Sequence, residues 1–195
     1  MSYIELLRLD GTADLIRYGV LVLMVTIAAV YDIQFRRVPN LLVLSGLVLS
    51  LVIHVTFVTY SEFSGFKDWG FGLLTGFGLF LPLYALKAMG AGDVKLMAMA
   101  GSFLDAGSAI GVVFTTLVVG GVLAIAVALW NGVLRQAISN IHTQLTLTMF
   151  KKLSGGNAQL EQLPSSAGNL PYAVAIAIGT LIHVILLTQG RPIFS

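Results

Sequence analysis

The chain has 195 residues, 57% of them hydrophobic and only 10% charged, and its 11 Lys and Arg against 9 Asp and Glu leave a net charge of +2. A soluble domain carries about 25% charged residues, so this composition, with a mean hydropathy of +0.92, excludes a water-soluble globular domain, a disordered chain and a nucleic-acid binder. Cysteine is absent, which removes disulfides, Cys-based zinc sites and thiol nucleophiles. What remains is an all-α, polytopic membrane protein, expected to form one domain over residues 1–195.

A helix needs about 20 apolar residues to cross a bilayer. The first such run covers 15–33 and ends at Gln34-Phe35-Arg36-Arg37. Its length, and the acidic Asp10 and Asp14 before it, argue against a cleavable signal peptide. The second covers 41–60 and opens on Pro39-Asn40, a helix-start pattern. A polar stretch, 61–68, precedes the third, 69–89, which contains Pro82. The fourth, 94–107, is the awkward one. Its apolar run from Val94 stops after 11 residues at Asp105, roughly 16 Å of helix. It either crosses by tilting into thinned lipid, continues past Asp105 or is re-entrant. The fifth covers 109–130. Residues 131–152 then place Val133, Leu134, Ala137, Ile138, Ile141, Leu145 and Met149 at helical spacing, which suits an amphipathic helix in the membrane interface. The last span covers 170–188, with Pro171 in its first turn.

Lysine and arginine set the expected orientation. With six spans and the N-terminus outside, the inner loops hold Arg36, Arg37, Lys87, Lys95, Arg135, Lys151 and Lys152; the outer ones hold Arg8, Arg17, Lys67 and Arg191. The first and third spans then end on the cytoplasmic side. Asp32 and Asp93, far apart in sequence, are expected at one membrane depth, with Pro39, Asn40 and Pro171 on the same face.

Intramembrane aspartates are costly and mark function. Two neighbouring carboxylates share a proton, so one can act on a water as base while the other polarises a carbonyl. Asp93 lies in Gly90-Ala91-Gly92-Asp93, where Gly90 and Gly92 permit close backbone approach. The plainer readings are an N-cap for Asp93 and an end-of-span carboxylate paired with Arg36 for Asp32. Lys95 either holds a substrate carbonyl, lowers the pKa of a catalytic Asp or reaches to lipid headgroups. Asp105 reads as a helix-end residue on the opposite face. His54 and His183 read as internally hydrogen-bonded rather than metal-binding. Gly72, Gly76, Gly120 and Gly121 read as helix-packing positions, and Met97 and Met99 as core filler.

Three blocks together resemble a known family. Asp32-Ile-Gln-Phe-Arg-Arg-Val-Pro39-Asn40 resembles the first signature of type IV prepilin peptidases. Gly90-Ala-Gly-Asp-Val-Lys-Leu96 resembles their GxGD motif, and Leu170-Pro-Tyr-Ala-Val-Ala-Ile-Ala-Ile-Gly179 the start of their last helix. The chain is similar in particular to the short Tad/Flp-type members and to the preflagellin peptidases. The resemblance implies an aspartic endopeptidase of the inner (cytoplasmic) membrane. It would remove the basic leader of a prepilin-like substrate at the cytoplasmic face, with Asp32 and Asp93 catalytic and Gly90, Gly92, Lys95, Pro39, Asn40 and Pro171 in support. Longer members carry a four-cysteine zinc site and methylate the new N-terminus. Here no metal, no cofactor and no methyltransferase activity are expected. The expected partners are the prepilin-like substrate and membrane lipid, without nucleic acid. Two other readings use the same residues: a small proton-coupled transporter, and a non-catalytic pilus or secretion assembly factor.

Overall fold

The structure, a computed structural model, describes residues 3–57, 62–86, 88–132 and 172–191. These form six helices: α1 (Tyr3–Phe35), α2 (Asn40–Phe57), α3 (Glu62–Ala85), α4 (Ala91–Ser102), α5 (Ala106–Trp130) and α6 (Tyr172–Thr188). No strand occurs among the described residues. The all-α expectation therefore holds. The expected interfacial helix, 131–152, falls outside the described residues apart from its first two positions, which form a turn after α5.

Two helical segments, Thr12–Phe35 and Ala106–Trp130, are long and apolar enough to cross a membrane, while Asn40–Thr56 and Tyr172–Thr188 are apolar but shorter. Leu23 and Ile27 on α1 and Phe114 and Val118 on α5 are exposed, as lipid-facing side chains of a membrane protein are.

Three helices differ from the hydropathy reading. Helix α1 begins at Tyr3 rather than 15. Helix α3 begins at Glu62 rather than 69 and ends at Ala85 rather than 89. Its first turns lie outside the apolar run, and Phe66 stacks on Trp69 there with ring centroids 5.7 Å apart. Hydropathy marks the apolar part of a helix, not the polar turns that extend it. Helix α4 has 12 residues and stops at Ser102, not at 107. That is roughly 18 Å of helix, short of a bilayer crossing of about 30 Å.

The chain divides into two compact units, Met1–Gly120 with Pro171–Ser195, and Gly121–Leu170. In the second, the described residues are the C-terminal end of α5 and the turn that follows it.

The first unit is organised around α4, whose residues Leu96, Met97, Met99 and Ala100 are fully buried. Glycines make this possible. A Cβ on Gly72 of α3 would collide with the carbonyl oxygens of Gly101 and Leu104, and one on Gly76 would lie 2.5 Å from that of Met97. Small residues let two backbones meet where lipid offers no hydrophobic drive between helices. Gly46 on α2 makes the corresponding room for Met99. Polar bonds fix the register. Trp69 Nε1 donates to Ser50 Oγ at 2.9 Å, and that oxygen lies 2.8 Å from Ser102 Oγ, joining α3, α2 and α4. Between α5 and α6, a Cβ on Gly111 of α5 would overlap the His183 ring, one on Gly179 of α6 would lie 2.6 Å from Thr116 Cα, and Thr115 Oγ1 donates to Gly179 O at 2.9 Å. Gly121, expected as a packing position, has nothing within 4 Å.

These pairings fix the directions. Along α3 and α4, 72 meets 101–104 and 76 meets 97, so the two run antiparallel. Along α2 and α4, Asn40 meets Lys95, Gly46 meets Met99 and Ser50 meets Ser102, so they run the same way. Asp105, just past α4, feels the charge of Arg17, midway along α1 and 18 residues before its end, and His183 late in α6 feels that of Asp105. The end of α1, the starts of α2, α4 and α6 and the end of α3 therefore gather at one end of the unit.

The glycine contacts yield an expected pair of outcomes. Gly76→Ala should lower thermal stability by roughly 1–3 kcal/mol, the usual cost of overpacking. Gly78→Ala, at an exposed position with nothing within 4 Å, should leave stability unchanged or raise it by up to about 1 kcal/mol through helix propensity. Melting curves of the two variants in one detergent check this.

Candidate active site

The last turn of α1 carries Asp32. Its amide carbonyl accepts from Arg36 N at 2.8 Å, and Arg36 has φ 55°, a left-handed residue that ends the helix. The side chain of Asp32 is buried, at 7% exposure. A four-residue link leads to α2, with Val38 and Pro39 half-buried and Pro39 O accepting from Val43 N at 3.3 Å. Val38 also faces α4: a Cβ on Gly92 would touch it at 3.5 Å. Gly92 thus holds the link between α1 and α2 against the start of α4.

Asp93 is held from within its own motif. The N-cap of α4 is Gly90, with φ −80° and ψ 157°, so Asp93 is the third helical residue and not the cap itself. Its Oδ2 accepts from the Gly90 N–H at 3.0 Å, the carboxylate half of a capping box. A Cβ on Gly90 would stand 3.3 Å from that same oxygen. Glycine at 90 is explained by space for the carboxylate, since its backbone angles are open to any residue.

Asp93 is half-buried and precedes the apolar run of α4. Burial pushes its carboxyl up from 3.8 to about 6; the Gly90 N–H works against this, and the nearby charge of Asp32 adds to it. The two aspartates, 61 positions apart in the chain, thus lie within each other's electrostatic reach. Asp105 is the useful contrast. It stands at the other end of α4, exposed, and accepts from Ser108 N at 3.0 Å as the N-cap of α5. Burial alone would raise its carboxyl, but the hydroxyl and N–H of Ser108 hold it below the ordinary value. The helix-end role expected for Asp105 is thus a role in α5, not in α4.

The other expected site residues divide. Lys95 Nζ donates to Asn40 Oδ1 at 3.2 Å, tying the starts of α4 and α2 together, and it has no part in the shift at Asp93. Pro171 lies outside the described residues. The next residue, Tyr172, is half-buried, and its ring lies 3.7 Å from where a Cβ on Gly120 would be. Its phenol is within electrostatic reach of Asp93. Sequence reasoning passed over Tyr172; its signal was its place immediately after Pro171 in the third block. His54 Nδ1 lies 2.9 Å from Ser50 O, as an internally bonded histidine should, but its Nε2 and both nitrogens of His183 are buried without a partner among the described residues. Among the described residues no group of three or more His, Asp and Glu could hold a metal ion.

The model of the Type IV leader peptidase family matches residues 19–125, just over half of the chain. The matched stretch contains Asp32, the Pro39-Asn40 pair and the Gly90–Asp93 string. No curated protein and no solved structure matches the chain.

A carboxyl raised from 3.8 to about 6 is one whose protonated form the fold prefers. That preference stabilises the protein fully below about pH 4 and is lost as pH rises through about 6. Carbon-13 NMR of labelled aspartate should find Asp93 titrating near 6, and Asp32→Asn should move it downward, because a like charge has been removed. An unmoved Asp93 in that variant would contradict the coupling.

Proposed function

Since the chain belongs to the type IV leader peptidase family, we propose that Asp32 and Asp93 form a catalytic pair that hydrolyses one peptide bond without a covalent intermediate. The observation that carries this is the electrostatic coupling of a buried Asp32 to a half-buried Asp93 already pushed toward its protonated form. Asp93 supplies the proton and Asp32 acts as base. Asp32 takes a proton from water as the water oxygen bonds to the carbonyl carbon, while Asp93 protonates the carbonyl oxygen. The tetrahedral diol then collapses. The C–N bond breaks, the leaving amine takes the proton from Asp32, and a diol hydroxyl returns one to Asp93. Both carboxyls end as they began.

The substrate class in this reading is a prepilin-like protein with a short basic leader and an apolar helix. The helix lies beside the protein in the bilayer and brings the leader junction to the end of the unit where α1 stops and α4 and α6 start. The balance of lysine and arginine supports a cytoplasmic position for that end and an N-terminus outside the inner membrane. Six crossings in a single 1–195 domain, with the short α4 crossing locally thinned lipid, belong to the same proposal, as does a role in pilus assembly or secretion. Lys95, Asn40 and Pro39 serve as support: the Lys95–Asn40 bond holds α2 against α4 beside the pair, and the Pro39 carbonyl closes the first turn of α2.

Co-expression with a pilin-like substrate tests this, with leader removal read by gel shift. Asp32→Asn and Asp93→Asn should each slow cleavage by at least about 10²-fold while the protein still accumulates in the membrane. Asp105→Asn should keep most of the activity. Near wild-type cleavage by either of the first two variants overturns the proposal and favours a transporter or assembly role.

A further inference from the structure

The seam between α5 and α6 holds polar side chains that no described residue pairs. His183 and Thr180 on α6 are 0% exposed, and Thr116 on α5 is 2% exposed. Both ring nitrogens of His183 and both of those hydroxyls are buried without a hydrogen-bond partner among the described residues. Gly111 shows which way the ring points. A Cβ there would meet Cε1 first, with Nε2 at 2.6 Å and Nδ1 at 2.7 Å, so the ring edge that carries both nitrogens faces α5. Thr116 faces the other way, toward α6: a Cβ on Gly179 would lie 2.6 Å from its Oγ1. The usual local remedies are not in use. His54 places Nδ1 2.9 Å from the carbonyl four residues back, Ser50 O. The matching carbonyl for His183 is Gly179 O, which accepts from Thr115 Oγ1 at 2.9 Å. A helical threonine can bond a carbonyl three or four residues back, and Thr115 Oγ1 lies 3.0 Å from both Val112 O and Gly111 O. Thr116 and Thr180 make no such bond.

We propose that the α5–α6 seam is a binding site for water, about one or two molecules, hydrogen-bonded to the His183 imidazole and to the Thr116 and Thr180 hydroxyls. The chemistry of the four atoms selects the ligand. A neutral imidazole presents one N–H donor and one lone pair, and each hydroxyl both donates and accepts, so the occupant must do both as well. Neither helix carries Asp, Glu, Lys or Arg, so an ion there would be buried without a counter-charge. An apolar occupant would leave all four polar atoms unpaired, at a cost of several kcal/mol each where lipid surrounds the helices. Water meets the need and is small enough for helices that approach as closely as these do at Gly111 and Gly179. The site belongs to the membrane-spanning part of the chain: Ala106–Trp130 is long and apolar enough to cross, and positions 111 and 116 lie roughly 8–15 Å along it. Helix α6 is thus joined to α5 at this depth through water as well as through the Thr115–Gly179 bond.

The test uses the full chain, labelled with nitrogen-15 histidine, in proteoliposomes. Water-edited solid-state NMR passes polarisation from water protons to nitrogens close to them. The chain has three histidines. The His183 signals are those lost in His183→Phe, or those kept in His54→Gln/His142→Gln if the Phe variant does not fold. The His183 ring nitrogens should gain water polarisation at short mixing times, although the residue is 0% exposed. Ring nitrogens that gain none overturn the proposal. Thr116→Val gives an independent reading, because it keeps the side chain's shape and removes the hydroxyl. With water in the seam, valine leaves that water short of a partner and should lower the melting temperature by about 2–4 °C. In a dry seam the hydroxyl is an uncompensated buried group, and its replacement by a methyl should raise the melting temperature. A rise, or no change, overturns the proposal.

Discussion

The backbone carbonyls of Met97, Gly101 and Leu104 occupy the space that side chains on Gly72 and Gly76 would fill. Helix α4 has only 12 residues, and this close approach to α3 is what lets so short a helix serve as the centre of the packing. Because its flanks are covered by α3 and α2, its first turn is drawn in beside the end of α1. Asp93 is consequently desolvated and placed within reach of Asp32. A looser α3–α4 contact would leave Asp93 a solvated capping residue, with no reason to hold a proton near neutrality.

The two carboxylates at the ends of α4 show that residue type alone decides little. Asp93 and Asp105 each accept a backbone N–H at 3.0 Å at the start of a helix. Asp105 is exposed, and the donors of Ser108 favour its charged form. Asp93 has a single backbone donor against burial and a like charge. One is settled as a charged cap, and the other can carry a proton. The cap reading of Asp93 and the catalytic reading are therefore compatible: the bond to Gly90 aims the carboxylate, and burial sets its protonation.

The sequence foretold the parts of this picture that depend on long apolar runs and failed where helices are short or polar. Helices α1, α2, α5 and α6 contain the apolar stretches that marked them. Helix α3 starts in a polar stretch that hydropathy assigns to a loop, and α4 ends before Asp105 because Asp105 caps the next helix. That Asp32 and Asp93 share an end followed from counting alternate crossings, and the pairing of residues along the helices supports the same arrangement. The Ser50–Ser102–Trp69 network had no signature, since isolated serines in apolar runs carry no periodicity. Lys95 has Asn40 as its partner rather than an aspartate, a choice set by which helix start lies beside α4. Tyr172 was hidden by its chemistry, because one tyrosine at the start of an apolar helix usually reads as an interfacial anchor.

The central claim is that the end of α1 and the start of α4 hold positions 32 and 93 together. The chain contains no cysteine, so paired cysteines can be introduced without background. The most direct measurement is cross-linking of Asp32→Cys/Asp93→Cys in native membranes with a short bis-thiol reagent, followed by mass spectrometry of the linked peptides. Asp32→Cys/Asp105→Cys is the reference pair, because Asp105 lies past the far end of α4. The account predicts a 32–93 link in high yield and none between 32 and 105. Equal yields for the two pairs, or no link at 32–93, would contradict it.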